Sequence, residues 1–151
     1  MIIKSLDHLQ LISKKIADNI HTNDCIFLIG EIGVGKTTFT RNLINYLQKI
    51  KNVEQTEVLS PTFNLLYEYD IKNLKLMHYD LYRIKNSKDL EQLGIFNENI
   101  ESIKIIEWPQ LIETNVTDGL ELNISYSKNE NERNLDFKGK GKWKNFNLDE
   151  L

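Results

Sequence analysis

Gly30-Glu31-Ile32-Gly33-Val34-Gly35-Lys36-Thr37-Thr38 is the stretch that decides how the rest of the chain is read. Two glycines enclose four residues and are followed by Lys and Thr, the pattern of a loop that cradles phosphates. Glycines let the backbone approach an anion and turn successive N–H groups towards its oxygens. Ahead of the loop, Cys25 to Ile29 is an apolar run of strand length; behind it, Phe39, Leu43, Leu47 and Ile50 recur on one helical face. Strand, loop and helix is the context that the motif needs, and the helix brings the positive end of its dipole to the same point. Nucleotide binding is therefore expected. Lys36 would reach the outer phosphates, Thr37 would offer its hydroxyl to a Mg²⁺ bridging them, and Thr38 could bond an α-phosphate oxygen.

Working outward from the loop, two later acids have the same setting. The run Leu74 to Asp80 ends in His78-Tyr79-Asp80-Leu81-Tyr82-Arg83, and Ile103-Lys104-Ile105-Ile106 ends in Glu107-Trp108-Pro109. A carboxylate at the C-terminal end of a strand lies where an open α/β sheet receives its ligands. Asp80 and Glu107 with Thr37 would make an all-oxygen site suited to the hard cation Mg²⁺. The plain alternative for Asp80 is a strand-end turn residue. His78 reads as a packed or hydrogen-bonded sheet residue, and Arg83 either pairs with Asp80 or lies on the surface. Trp108 either stacks near a nucleotide or covers the sheet. Ser60-Pro61-Thr62-Phe63 is a turn or the start of a strand, or else Thr62 belongs to a loop that faces the outer phosphate, as switch loops do.

The remaining pattern is a three-layer α/β domain with a mostly parallel sheet, extended by antiparallel hairpins at Asn64 to Asp80 and Leu120 to Phe137. Ser5 or Asp7 caps a first helix with Leu9, Ile12, Ile16 and Ile20 inward, and Ser87 caps a short one closed by Gly94. The Lys- and Gly-rich end, about 139–151, reads as a loose tail. A length of 151 residues suits one domain whose core needs no disulfide. With 19 Lys and Arg against 22 Asp and Glu there is no global basic field, so strong nucleic-acid binding by the chain alone is not expected. The single cysteine, Cys25, reads as a buried hydrophobe, which together with the lack of a disulfide suggests a reducing, cytoplasmic setting. No run approaches the roughly 20 apolar residues of a membrane span, so neither membrane nor targeting segment is expected.

Taken together, the phosphate loop, Ser60-Pro61-Thr62-Phe63, the His78 to Arg83 run and Glu107-Trp108-Pro109 resemble the TsaE (YjeE) family, nearly full-length in order and spacing. The resemblance implies a P-loop NTPase fold and a bacterial ATPase required for threonylcarbamoyladenosine in tRNA. It implies that family members bind ATP and Mg²⁺ and work with TsaD and TsaB, with TsaD forming the bond and TsaC supplying the adenylate. It makes Lys36 and Thr37 phosphate and Mg²⁺ contacts, Glu107 a Mg²⁺ ligand, Asp80 essential for hydrolysis, and Thr62 part of a switch-like loop. Trp108 would lie near the nucleotide and Arg133 would approach it. No arginine finger is evident in the chain, so slow turnover completed by a partner is expected. A small-molecule kinase would need an acceptor pocket and an Arg-bearing lid, an ATP-sensing assembly subunit would hydrolyse only incidentally, and a GTPase would need an Asn-Lys-x-Asp reader that the chain lacks.

Overall fold

Hydrophobic alternation and turn chemistry translate into one twisted sheet with helices packed on it. The computed structural model describes residues 1–97, 99–112 and 116–148. In chain order the elements are β1 (Ile2–Ile3), α1 (Leu6–Ala17), β2 (Cys25–Ile29), α2 (Lys36–Ile50), β3 (Leu66–Ile71), β4 (Leu74–Asp80), α3 (Ser87–Gln92), β5 (Ile103–Glu107), β6 (Gly119–Tyr126) and β7 (Arg133–Lys140). Among the described residues, seven strands form one sheet in the order β1-β7-β6-β2-β5-β4-β3. The middle is parallel, β6 and β5 flanking β2 and β4 following β5, while β3 and β7 add antiparallel hairpins at either side.

Both faces of the central strands are apolar, as expected of parallel strands covered on both sides. Ile26, Leu28, Ile103, Ile105 and Leu76 share one core with Ile12 and Ile16 of α1 and Phe39, Leu43 and Ile44 of α2. Cys25, Met77, Tyr79 and Ile106 form a smaller cluster on the other face, beneath Leu90 and Leu93. The Ser5 hydroxyl caps α1 by accepting from the His8 N–H at 3.1 Å.

Four expectations change in detail. Ile50 is exposed, because the buried stripe of α2 runs through Ile44 and Gln48 instead. Asn86, not Ser87, caps α3: its Oδ1 accepts from the Asp89 N–H at 2.9 Å. Ile2 and Ile3, unassigned on pattern, pair with Asn134 and Arg133. The end is not loose from Gly139 onward: β7 continues to Lys140, and a 3₁₀ turn at Gly141–Asn145 buries Trp143, packed edge-on against Phe146. Gly139 permits this, since a side chain there would run into the Trp143 carbonyl. Positions 149–151 lie outside the described residues. Among the described residues, no helix is long and apolar enough to cross a membrane.

Candidate functional site

Three parallel strands end side by side. Leu28 of β2 pairs with Glu107 of β5, and Glu107 pairs with Asp80 of β4. The chain leaves β2 through the glycine loop, so the loop, both acids and the start of α2 share one end of the sheet. Gly30 (φ 152°) is required by closeness, since a Cβ there would collide with the Ile124 carbonyl. Gly35 (φ 118°) occupies the N-cap of α2 in a left-handed conformation and offers no side-chain cap. The first turn of this 15-residue helix also carries no acid. Its amide N–H groups thus open towards the loop without a side-chain acceptor, which is the physical condition for anion binding.

A cavity of about 330 Å³ lies there, lined by Ile32, Gly33 and Gly35, by Lys36, Thr37 and Thr38, and by Ser60, Thr62, Asp80, Tyr82, Glu107 and Trp108. Lys36 is buried, and its ammonium donates to the Gly30 and Glu31 carbonyls at 2.7 and 2.8 Å. The same group sits 4.5 Å above the Trp108 ring, a cation–π contact. Burial pulls its pKa below the ordinary lysine value, against the opposing influence of Glu107 and Asp80. Trp108 takes φ 58°, unusual for a bulky residue, and its ring lies 4.9 Å from that of Tyr82.

The two acids are held differently. Glu107 Oε1 accepts from Thr37 Oγ1 at 3.0 Å and bonds His78 Nε2 at 2.9 Å. Asp80 Oδ2 accepts from Ser60 Oγ at 3.0 Å and Thr62 Oγ1 at 2.8 Å, while Oδ1 accepts from the Tyr82 N–H at 3.0 Å. Arg83 lies over Phe63 at 4.8 Å; among the described residues it makes no ion pair with Asp80. No group of three or more His, Cys, Asp and Glu side chains among the described residues is arranged to hold a metal. A hard cation there would be held by Glu107, the Thr37 hydroxyl and, directly or through water, Asp80, with its remaining ligands coming from phosphate and water. This oxygen donor set fits Mg²⁺.

Gly30, Glu31, Val34 and Arg133 stand outside that cavity. Val34 and Arg133 line a second one of about 220 Å³, with Ile3, Ser5, Leu9 and Ile124. Arg133 Nε donates to the Val34 carbonyl at 3.3 Å, its guanidinium lies 4.7 Å from the Tyr126 ring, and Tyr126 Oη donates to the Ile32 carbonyl at 3.0 Å. The β6–β7 hairpin thus holds the loop from behind. Ser60, Tyr82, Tyr126 and the role of His78 were not assigned from sequence. Ser60, His78 and Tyr82 lie within the sequence motifs, whereas nothing local marks Tyr126.

Residues 3–135 match the sequence model of the family described as threonylcarbamoyl adenosine biosynthesis protein TsaE. The chain belongs to the TsaE family. A TsaE relative from Rickettsia conorii is 35% identical over 81% of this chain and 68% of its own, and one from Aquifex aeolicus is 36% identical over 73% and 76%. Both carry the name tRNA threonylcarbamoyladenosine biosynthesis protein TsaE. The crystal structure of Bacillus subtilis YdiB superposes with a TM-score of 0.71 over 95% of this chain and 86% of its own at 24% identity, a likeness of fold. TsaE membership and the P-loop type of fold read from sequence are thereby borne out.

Proposed function

We propose that this TsaE-family chain binds Mg-ATP, hydrolyses it slowly by itself, and does so in support of threonylcarbamoyladenosine modification of tRNA together with TsaD and TsaB. The carrying observation is the uncapped N-terminus of α2, which shares one cavity with Lys36, Thr37, Asp80 and Glu107. In this reading the loop and helix N–H groups hold the β- and γ-phosphates, and Lys36 exchanges its two carbonyl partners for phosphate oxygens. Thr37 and Glu107 hold the magnesium ion, whose positive charge offsets what develops on the phosphoryl oxygens. The base end of the nucleotide extends towards the second cavity, beside Val34 and Arg133.

Asp80 is the group to orient the attacking water and accept its proton. In the structure described, both its oxygens already accept hydrogen bonds, three in all. Ser60 and Thr62 occupy Oδ2, and Oδ1 with its one bond has a single place left for a water; competition from these donors supports a slow basal rate, and their release would free Oδ2 for the attacking water. Ile32, which lines the cavity, and Phe63, next to Thr62, are 66% and 80% exposed, two apolar side chains that a partner completing the site would contact.

Calorimetric titration with ATP and GTP, with and without Mg²⁺, followed by hydrolysis assays with and without TsaD and TsaB, tests the proposal. Mg-dependent ATP binding and slow hydrolysis that the partners accelerate are expected. Failure to bind ATP overturns the proposal; equal rates with and without partners overturn the gating part. Phosphate transfer to a small metabolite would favour a kinase.

A further inference from the structure

We propose that His78 is the positioning residue that aims Glu107 at the cation, an inference that rests on reading the site as one for Mg-ATP. His78 sits in β4 two residues before Asp80, opposite Ile105, on the face that packs towards α2. It is fully buried, and Glu107 is 2% exposed. An ionised carboxylate can only accept, so the 2.9 Å contact between His78 Nε2 and Glu107 Oε1 has the histidine as donor. Thr37 Oγ1 donates to the same oxygen. Both bonds fall on Oε1, and among the described residues no protein donor reaches Oε2. Two donors on one oxygen fix the twist of the carboxylate and leave the other oxygen for a ligand in the cavity.

The two donors are not equivalent. The Thr37 hydroxyl rotates freely and is itself a cation ligand in this reading, whereas the His78 ring is locked in the sheet. His78 therefore sets the direction. A merely structural role fits its surroundings poorly. His78 Nδ1 is buried without a hydrogen-bond partner, a cost that an apolar residue between Leu76 and Asp80 would avoid. The unpaired nitrogen is tolerated where the other nitrogen serves the site. Histidine and carboxylate pairs behind metal ligands commonly act this way, orienting the ligand and raising its affinity for the ion.

The test compares His78→Gln, whose amide nitrogen reaches about as far as Nε2, with His78→Asn, whose amide stops near Nδ1, and with His78→Leu, which removes the donor. Two readouts are used: ATP affinity in saturating Mg²⁺ and in EDTA by calorimetry, and Mn²⁺ binding to the nucleotide-loaded chain by electron paramagnetic resonance. The Asn and Leu variants are expected to lose about 10- to 100-fold in metal affinity, with EDTA affinity for ATP within about threefold of wild type and His78→Gln restoring most of the loss. Equal metal affinity in the Gln and Asn variants overturns the inference, as does an equal loss of ATP affinity in EDTA. If His78→Leu fails to fold, the Gln and Asn pair decides. A wild-type chain that binds ATP identically with and without metal instead overturns the reading of the site on which the inference rests.

Discussion

Glu107 and Asp80 are neighbours in register at the ends of adjacent parallel strands, both almost wholly buried, yet they are fastened to different parts of the molecule. Glu107 closes a strand whose five residues are all buried, and its donors come from β4 and the first turn of α2. Asp80 is held by Ser60 and Thr62 of a loop whose Leu59 and Phe63 project into solvent. One carboxylate is anchored to the sheet and helix; the other is tied to a loop that belongs to no regular element. Chemistry that needs a fixed cation and a switchable base maps onto that difference.

The largest effect expected from this contrast is its separation in mutant kinetics. Asp80→Asn should lower the hydrolysis rate about 10²- to 10³-fold while ATP affinity stays within about threefold, because the proton acceptor is lost whereas the side-chain amide keeps an oxygen for the cation and Glu107 and Thr37 still hold it. Glu107→Gln should instead weaken Mg-dependent binding by about 10- to 100-fold, with ATP affinity in EDTA unchanged. Single-turnover hydrolysis and calorimetry separate the two. If Asp80→Asn weakens Mg-ATP binding as much as Glu107→Gln does, the fixed and switchable assignment is wrong.

How much of this was readable in advance follows the range of the interactions. The phosphate loop and its flanking strand and helix are written within about 25 consecutive residues, so local pattern suffices. Asp80 and Glu107 were legible because an acid that ends an apolar run is a local signal. Their attachments were not, since His78 meets Glu107 only through the β4–β5 register and Thr62 meets Asp80 only once the loop has closed. The C-terminal end misled for a related reason. Lys and Gly dominate its composition, whereas Trp143 and Leu148 are buried in a core that they share with residues of α1, α2 and the sheet far away in sequence.

A pH experiment probes the opposite face of the same strands. Cys25 lies there, and burial pushes its thiol from 9.0 to about 11, with Lys104 lowering it and Asp24 raising it by lesser amounts. The folded value is raised, so this contribution to stability is fully present below the unfolded value and is lost as pH rises from about 9 to 11. A rise from 9.0 to about 11 corresponds to on the order of 2–3 kcal/mol. Urea denaturation of wild type and Cys25→Ala across that window should show a smaller alkaline loss in the variant. If the variant keeps the full wild-type slope, the thiol is not the group that titrates in this window.

The smallest expected effect tests the tether itself. Leu65 takes φ 65°, a sparsely populated conformation for a leucine, within a closure made by the Leu65 N–H to the Pro61 carbonyl at 2.6 Å and the Asp80 N–H to the Leu65 carbonyl at 3.1 Å. Such strain persists only where neighbouring contacts enforce it, and the Thr62 hydroxyl on Asp80 is one of them. Thr62→Val removes that bond at nearly constant shape and should loosen the closure by about 1 kcal/mol. Amide exchange at Leu65 and Asp80 should then quicken roughly five- to tenfold. Thr37→Val, the matching deletion on Glu107, leaves the His78 bond in place and should change exchange in β5 by less than about twofold. Comparable acceleration in both variants would mean that the two acids are equally free to move, and the switch would then have to lie elsewhere in the site.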